Sequence, residues 1–304
     1  MKMRIGIVGA GAIGSYYGAK LFLNGEDVHF LFRSDFEHVR SNGLEIREPG
    51  VESSRCFPNA YADSAEIGPC DLIIVALKTT ANPQMGDLVA PLVGPHSVVL
   101  TLQNGMGNTE ILAERFGGHR VLTGQCFVTL NRVAPGVVEN YSPGRITLGS
   151  MMDGPGRELL PAIVEMFIHA GVNCSVAGNL DELLWKKLLW NVPFNGLAVA
   201  AGGITTDRIL ASPALLAEIR ALMEEIRIAA AAHGVEIPSR MIDRQIELTH
   251  PMGAYRPSTL IDFLEGRPME VEAIWGEPLR RGRSRGILMP RLSLLYSLLL
   301  SLNP

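Results

Sequence analysis

Met3-Arg4-Ile5-Gly6-Ile7-Val8-Gly9-Ala10-Gly11-Ala12-Ile13-Gly14 is the stretch that decides the fold. Residues 3–8 form a short β-branched run, which reads as a strand. The glycines follow it directly and open a helix-like segment over residues 15–24, closed by Gly25. A G-x-G-x-x-G placed between a strand and a helix is far more specific than the same glycines alone. Gly9 permits a tight turn, Gly11 lets a pyrophosphate approach the backbone, and Gly14 lets helix and strand pack closely. The free N–H groups and positive dipole end of the helix would face the phosphates. The expected dinucleotide contacts are therefore Gly9, Gly11, Ala12, Ile13 and Gly14.

Working outward, residues 28–32 read as a second strand, and 72–77, 98–102 and 121–127 as further ones, separated by stretches of helix length. That alternation predicts a parallel, doubly wound sheet. Residues 137–149 read as a hairpin turning at Pro143 and Gly144. Residues 156–171 then read as a helix and 172–176 as a last strand. From Asn179 strand signals stop, and helical periods run over 180–201, 214–233, 240–249 and 269–283. The expected fold class is α/β: an N-terminal Rossmann doubly wound sheet in residues 1–178, followed by an all-helical C-terminal domain in residues 179–304.

Composition agrees with this reading. The 304 residues suffice for two domains; 47% apolar residues and 32 glycines suit an α/β protein and exclude disordered and fibrous classes. A net charge of −4 provides no general attraction to nucleic acid. The basic cluster Arg280, Arg281, Arg283, Arg285 reads better as a solvated helix face than as a phosphate patch. Four scattered cysteines without a C-x-x-C pair and seven dispersed histidines form no metal constellation, and the cysteines fit a reducing cytoplasm. The N-terminal apolar run is broken by glycines, unlike a signal peptide. The apolar tail over 292–302 is about half the ~20 residues that span a bilayer. These features predict a cytoplasmic protein with no membrane partner. The apolar helical half is compatible with a homodimer, although no single face marks an interface.

The end of the second strand reports on the cofactor. An NAD enzyme usually carries Asp or Glu there to bond the ribose hydroxyls. Here Val28-His-Phe-Leu-Phe32 ends in Arg33 and Ser34, and a guanidinium can pair bidentately with a 2′-phosphate. NADP(H) is favoured, with two alternatives open: Asp35 lies two residues on, and Arg33 could be a solvated surface residue.

Strand ends also propose the chemistry. Lys78 follows the strand Ile-Ile-Val-Ala-Leu, and Asn104 follows Leu-Thr-Leu-Gln; either faces the ligand crevice or is an ordinary loop residue. In the helical half, Lys187, Asn191 and Asn195 recur every four residues, and a helix would align them on one side. Their neighbours Leu188, Leu189, Trp190, Val192 and Phe194 are apolar, so the stripe reads as the wall of a cleft or, alternatively, as a solvated face. Pro193 should kink that helix and free the Leu189 carbonyl.

With these blocks in view, the sequence resembles the ketopantoate reductase (2-dehydropantoate 2-reductase) family through essentially its whole length. The resemblance rests on Gly9 to Gly14, Leu77-Lys78, Gln103-Asn104-Gly105-Met106-Gly107, the Lys187/Asn191/Asn195 segment and Pro257-Ser258-Thr-Leu-Ile-Asp262…Gly266-Arg-Pro-Met-Glu270. It implies NADP(H) as cofactor, with Arg33, Lys78, Asn104 and Glu270 added to the glycine turn as cofactor contacts. It implies a small 2-oxo acid, ketopantoate, bound between the domains. Lys187 would be the general acid and Glu270 would hold the hydroxyl end of the substrate. Ser258, Asn191 and Asn195 would bond its carboxylate side, with Asn104 near the reacting carbon. The chain departs from the family pattern at Trp275, where an Asn-Gly pair is common, at Asn140, where a histidine is common, and at Pro193. The first two departures bear on the substrate side and leave open a reductase of the same fold acting on another branched 2-oxo acid. A non-catalytic NADP(H)-binding sensor is a third reading, but it predicts a damaged catalytic set, and Lys187, Asn191, Ser258 and Glu270 are all present.

Overall fold

The structure, a computed structural model, describes residues 2–303. Ten strands form one mixed sheet: β1 (Arg4–Val8), β2 (Asp27–Leu31), β3 (Leu44–Arg47), β4 (Ser54–Cys56), β5 (Asn59–Tyr61), β6 (Cys70–Val75), β7 (Val93–Thr101), β8 (Val121–Ala134), β9 (Val137–Ser150) and β10 (Asn173–Val176). Their order is β4-β3-β9-β8-β7-β6-β1-β2-β5, and β10 pairs in parallel with the later part of β9. From β8 through β5 all pairs are parallel, and β1 lies between β2 and β6, where the winding reverses. Parallel strands are covered on both faces, so they read as continuous apolar runs whose side chains alternate between two cores. Ile5, Ile7, Leu72, Ile74, Val98 and Leu100 belong to one core, whereas Val8, Ile73, Val75 and Val99 belong to the other.

The expected hairpin turn at Pro143 and Gly144 is corrected by the structure. The hairpin is β8 against β9, and its turn is Pro135 and Gly136, the latter at φ +66°. Phe127 pairs with Arg145 and Thr129 with Ser142, so positions 143 and 144 of β9 oppose Val128 alone. That is a β-bulge, where a strand tolerates a residue without an N–H. A Cβ on Gly144 would lie 2.5 Å from Val128 Cγ2, so glycine completes the bulge. The 121–127 strand is accordingly 14 residues long, and the sheet is mixed, with β8–β9 and β3–β4 antiparallel. The short strands β3, β4 and β5 escaped the sequence reading.

The chain divides into two compact units. One holds the residues up to Gln103 together with Asn108–Leu180, the other Asn104–Gly107 together with the residues from Asp181 onward. In the second unit the long helix expected over 180–201 is interrupted: α-helix Leu180–Trp190, a π turn Asn191–Asn195, then α-helix Gly196–Ala200. Pro193 supplies no N–H for the carbonyl four residues back, and a wider turn accommodates the missing bond. The segment expected over 269–283 behaves alike, with a π turn Glu272–Gly276 ahead of helix Glu277–Ser284, and Pro278 at the junction. Glu225, buried on helix Pro213–Ala232, accepts the Arg291 and Leu292 N–H groups at 3.0 and 2.9 Å, capping the C-terminal helix Pro290–Leu302. Among the described residues no helix is long and apolar enough to cross a membrane.

Candidate active site

The nucleotide end is built on the carboxyl ends of three adjacent strands. Gly9 to Gly14 follow β1, Arg33 follows β2 and Lys78 follows β6, which groups them at the point where the winding reverses. Gly9 has φ +97°, and a Cβ there would lie 2.5 Å from the Leu77 nitrogen. A Cβ on Gly14 would sit 2.3 Å from the Gly9 carbonyl oxygen. Gly11 differs, because a Cβ there meets nothing within 4 Å. The outer glycines thus serve the protein's own packing, while the middle one keeps space open in front of a helix end. That helix, Ala12–Leu23, has no side-chain N-cap, so its first N–H groups remain available to an anion. Ser15 Oγ bonds the Ala10 carbonyl at 3.0 Å and steadies the turn. An open cradle, an uncapped helix end and two neighbouring cations fit a dinucleotide phosphate.

Asp35 could have competed for a ribose, but it is 4% exposed and fully engaged. It accepts hydrogen bonds from Ser34 Oγ at 2.8 Å, from the Gly136 N–H at 3.1 Å and from Arg132. Burial alone would raise its pKa; the Gly136 N–H, Ser34 and Arg132 outweigh that and hold the carboxyl below its usual range. Asp35 therefore anchors the β8–β9 turn. Arg33 is exposed with no partner among the described residues. Arg132, which captures Asp35, carries no signal in the sequence, since 97 positions separate the two.

In the second unit, Lys187 Nζ donates to Asn104 Oδ1 at 2.7 Å. Lys187 is in the last turn of its α-helix and half-buried. Asn104 comes from Asn104–Gly107, the only part of the chain before Asp181 assigned to this unit. This tetrapeptide is held by a bond from the Met106 N–H to the Ala273 carbonyl at 2.9 Å. Gly105 is required there: it has φ +82°, and a Cβ would lie 2.4 Å from the Ala273 oxygen. In the sheet unit, the residues flanking the tetrapeptide are also tied. Gln103 Nε2 donates to Asn82 Oδ1, and Asn82 Nδ2 to Asn108 Oδ1, both at 2.9 Å. Asn82 was missed by the sequence reading because its partners lie 21 and 26 positions away.

The other candidates fall on elements that meet the π turn. Asn191 begins that turn and is half-buried; Asn195 ends it and is 2% exposed. Asn195 Oδ1 accepts the Thr259 N–H at 3.3 Å, tying it to helix Ser258–Leu264, whose first residue Ser258 is exposed. Glu270 is 7% exposed and directly precedes Val271 and the second π turn. The bend before it is set by Asp262, which accepts Arg267 Nε at 3.0 Å. Trp275 is fully buried, so it reaches this region only through its neighbours. Asn140 is buried in the first unit, where it donates to the Tyr16 hydroxyl at 3.0 Å, a structural position in the sheet. Among the described residues, no group of acidic, histidine or cysteine side chains could hold a metal.

A Rossmann-type sheet with a glycine turn at its winding reversal, joined to a helical unit that carries a lysine–asparagine pair, defines a two-unit class of nucleotide-fold proteins. Two family models match within this class: Ketopantoate reductase PanE/ApbA over residues 5–153, and its C-terminal counterpart over 179–303. The chain belongs to the ketopantoate reductase family. It is 37% identical over 299 residues to a 2-dehydropantoate 2-reductase of Nostoc, covering 97% of this chain and 93% of that one. A crystal structure of 2-dehydropantoate 2-reductase from Geobacter metallireducens superposes with a TM-score of 0.94 at 42% identity, covering 98% and 99% of the two chains. D-mandelate dehydrogenase, in a ternary structure with NADH and anilino(oxo)acetate, shares the fold at TM-score 0.91 and 22% identity, covering 99% and 98%.

Proposed function

We propose that this protein reduces ketopantoate (2-dehydropantoate) to pantoate with NADPH, supplying a precursor of pantothenate and coenzyme A in the cytoplasm. The observation that carries the reading is the Lys187–Asn104 pair at 2.7 Å in a chain of this family. NADPH, when bound, supplies a hydride to the carbonyl carbon. Charge then builds on the carbonyl oxygen, and Lys187 is the group that stabilises it and delivers its Nζ proton, turning the ketone into a hydroxyl. A lysine ammonium is protonated at neutral pH, as a proton donor must be. The hydrogen bond to Asn104 fixes its direction. Asn191, Asn195 and Ser258 supply neutral donors for the substrate carboxylate, and Glu270 an acceptor for its hydroxyl end. Gly9, Gly11, Ala12, Ile13 and Gly14 hold the pyrophosphate, Arg33 and Lys78 the adenosine phosphate side.

NADPH rather than NADH is supported by the free Arg33 guanidinium beside a carboxylate already committed to Arg132 and Gly136. A second reading, the same reduction of another branched 2-oxo acid, is favoured by Trp275, where the family commonly has Asn-Gly. The intact lysine–asparagine pair counts against a non-catalytic sensor.

The test is oxidation of NADPH, followed by absorbance, with ketopantoate and with 2-oxoisovalerate, beside Lys187→Ala. Turnover of ketopantoate, weak with the other acid or with NADH and lowered roughly 10²–10⁴-fold by the substitution, is the expected outcome. Turnover only of a different 2-oxo acid selects the second reading. NADPH binding with no turnover of any 2-oxo acid removes both.

A further inference from the structure

The two π turns of the helical unit meet through one hydrogen bond. Trp275, in Glu272–Gly276, donates its indole N–H to the Val192 carbonyl, in Asn191–Asn195, at 2.9 Å. The indole is fully buried, so water cannot replace this bond. Its approach depends on Gly196, where a Cβ would lie 2.9 Å from the indole nitrogen and 2.7 Å from Leu295 Cδ2. Two residues before Trp275, the Ala273 carbonyl receives the Met106 N–H and leaves no room for a side chain at Gly105. A single five-residue turn therefore touches both the tetrapeptide that carries Asn104 and the turn that carries Asn191 and Asn195. π turns inside helices recur at functional sites.

We infer that Trp275 is a positioning residue for substrate: its N–H on Val192 sets the π turn that orients Asn191 and Asn195, while the same segment holds Asn104 against Lys187. This deepens the proposed 2-oxo acid reduction and rests on it. The asparagines lie on either side of the bonded carbonyl, one at the start of the turn and one at its end. Losing the bond removes one of the two donors on that buried carbonyl, the Gly196 N–H being the other, and lets the turn shift, rotating both amides. A placement error near 1 Å is enough to cost a large factor in rate.

Two variants separate the hydrogen bond from the bulk of the ring. Trp275→Phe keeps the larger share of the volume and removes the donor. Trp275→His keeps an Nε2–H close to the indole N–H position and removes the benzo ring. Packing alone predicts that the His variant is worse in both Tm and kcat/KM, because it leaves the larger cavity. Positioning predicts opposite orders: the His variant has the lower Tm, but the Phe variant has the lower kcat/KM, by roughly 10- to 100-fold against wild type. The loss would lie in both KM for the 2-oxo acid and kcat, with the Kd of NADPH within about twofold of wild type. A Phe variant retaining wild-type kcat/KM, or activities that merely follow Tm, would overturn the inference. Crystal structures of both variants distinguish this from failure of the functional reading. If wild type reduces no 2-oxo acid, that reading falls, and the backbone of residues 191–195 still decides: displaced in the Phe variant and retained in the His variant, or not.

Discussion

The glycine turn of the sheet unit and the lysine–asparagine cluster of the helical unit position their functional groups in opposite ways. In the first, backbone does the work: N–H groups at a helix start, aimed by strand register, with side chains kept out by Gly9, Gly11 and Gly14. In the second, side chains do the work, and the backbone departs from regular helix in two π turns to aim them. A site built from backbone is broken by adding a methyl group. One built from side chains is broken by removing a donor, often far from the ligand.

The largest effect should come from crossing these two modes. Lys187→Ala, with its expected 10²–10⁴-fold loss of kcat, should leave the Kd of NADPH nearly unchanged in a fluorescence titration. A matching loss of NADPH affinity would show that the two sites are not separable as described. Next come the glycines. Gly14→Ala forces a Cβ to within 2.3 Å of the Gly9 oxygen, so its Tm should fall by the equivalent of about 1–3 kcal/mol. Gly11→Ala has space and should fold with wild-type Tm, yet bind NADPH more weakly, by calorimetry. Equal Tm losses in the two variants would refute the assignment of Gly11 to the ligand.

Arg33→Ala removes a charge-assisted partner worth roughly 1.5–3 kcal/mol, about 10- to 100-fold in the Kd of NADPH, with little change for NADH. A parallel loss for both cofactors would place Arg33 away from the 2′-phosphate. The smallest effect concerns Asp35. Its folded pKa is lowered, so its contribution to stability is complete above the ordinary carboxylate value near 3.9 and fades as pH falls through the lower folded value. Asp35→Asn should therefore lower Tm at pH 7 and converge with wild type in acid. A difference that grows on acidification would contradict the hydrogen bonding seen at Gly136 and Arg132.

Much of the sheet unit was legible because its signals are local. The run Ile5 to Val8, the glycines after it and the apolar strand leading to Lys78 each carry their meaning within a few residues, as does the helix around 155–169. The hairpin shows where locality fails. Two Pro-Gly pairs lie eight positions apart, and both are turn signals. Only the pairing of β8 with β9, and the capture of the Gly136 N–H by Asp35, make the first a turn and the second a bulge.

In the helical unit the four-residue spacing of Lys187, Asn191 and Asn195 was visible, and so was the disruption due at Pro193. The form of that disruption was not, since a proline says which hydrogen bond is missing but not what replaces it. Here a π turn takes that place, and an indole N–H from 83 positions away meets the Val192 carbonyl within it.

By itself, then, the sequence determined the order of a doubly wound sheet and a helical half, the glycine turn at the end of β1, and the residue types available for chemistry. Periodicity, glycine and proline act through the chain's own nearest neighbours. Tertiary structure alone decided that Asp35 is consumed by Arg132, that Asn104 meets Lys187 across 83 positions, and that Trp275 joins the two π turns. Those outcomes depend on hydrogen bonds between groups that only folding brings within 3 Å, and no local pattern encodes which partner each will find.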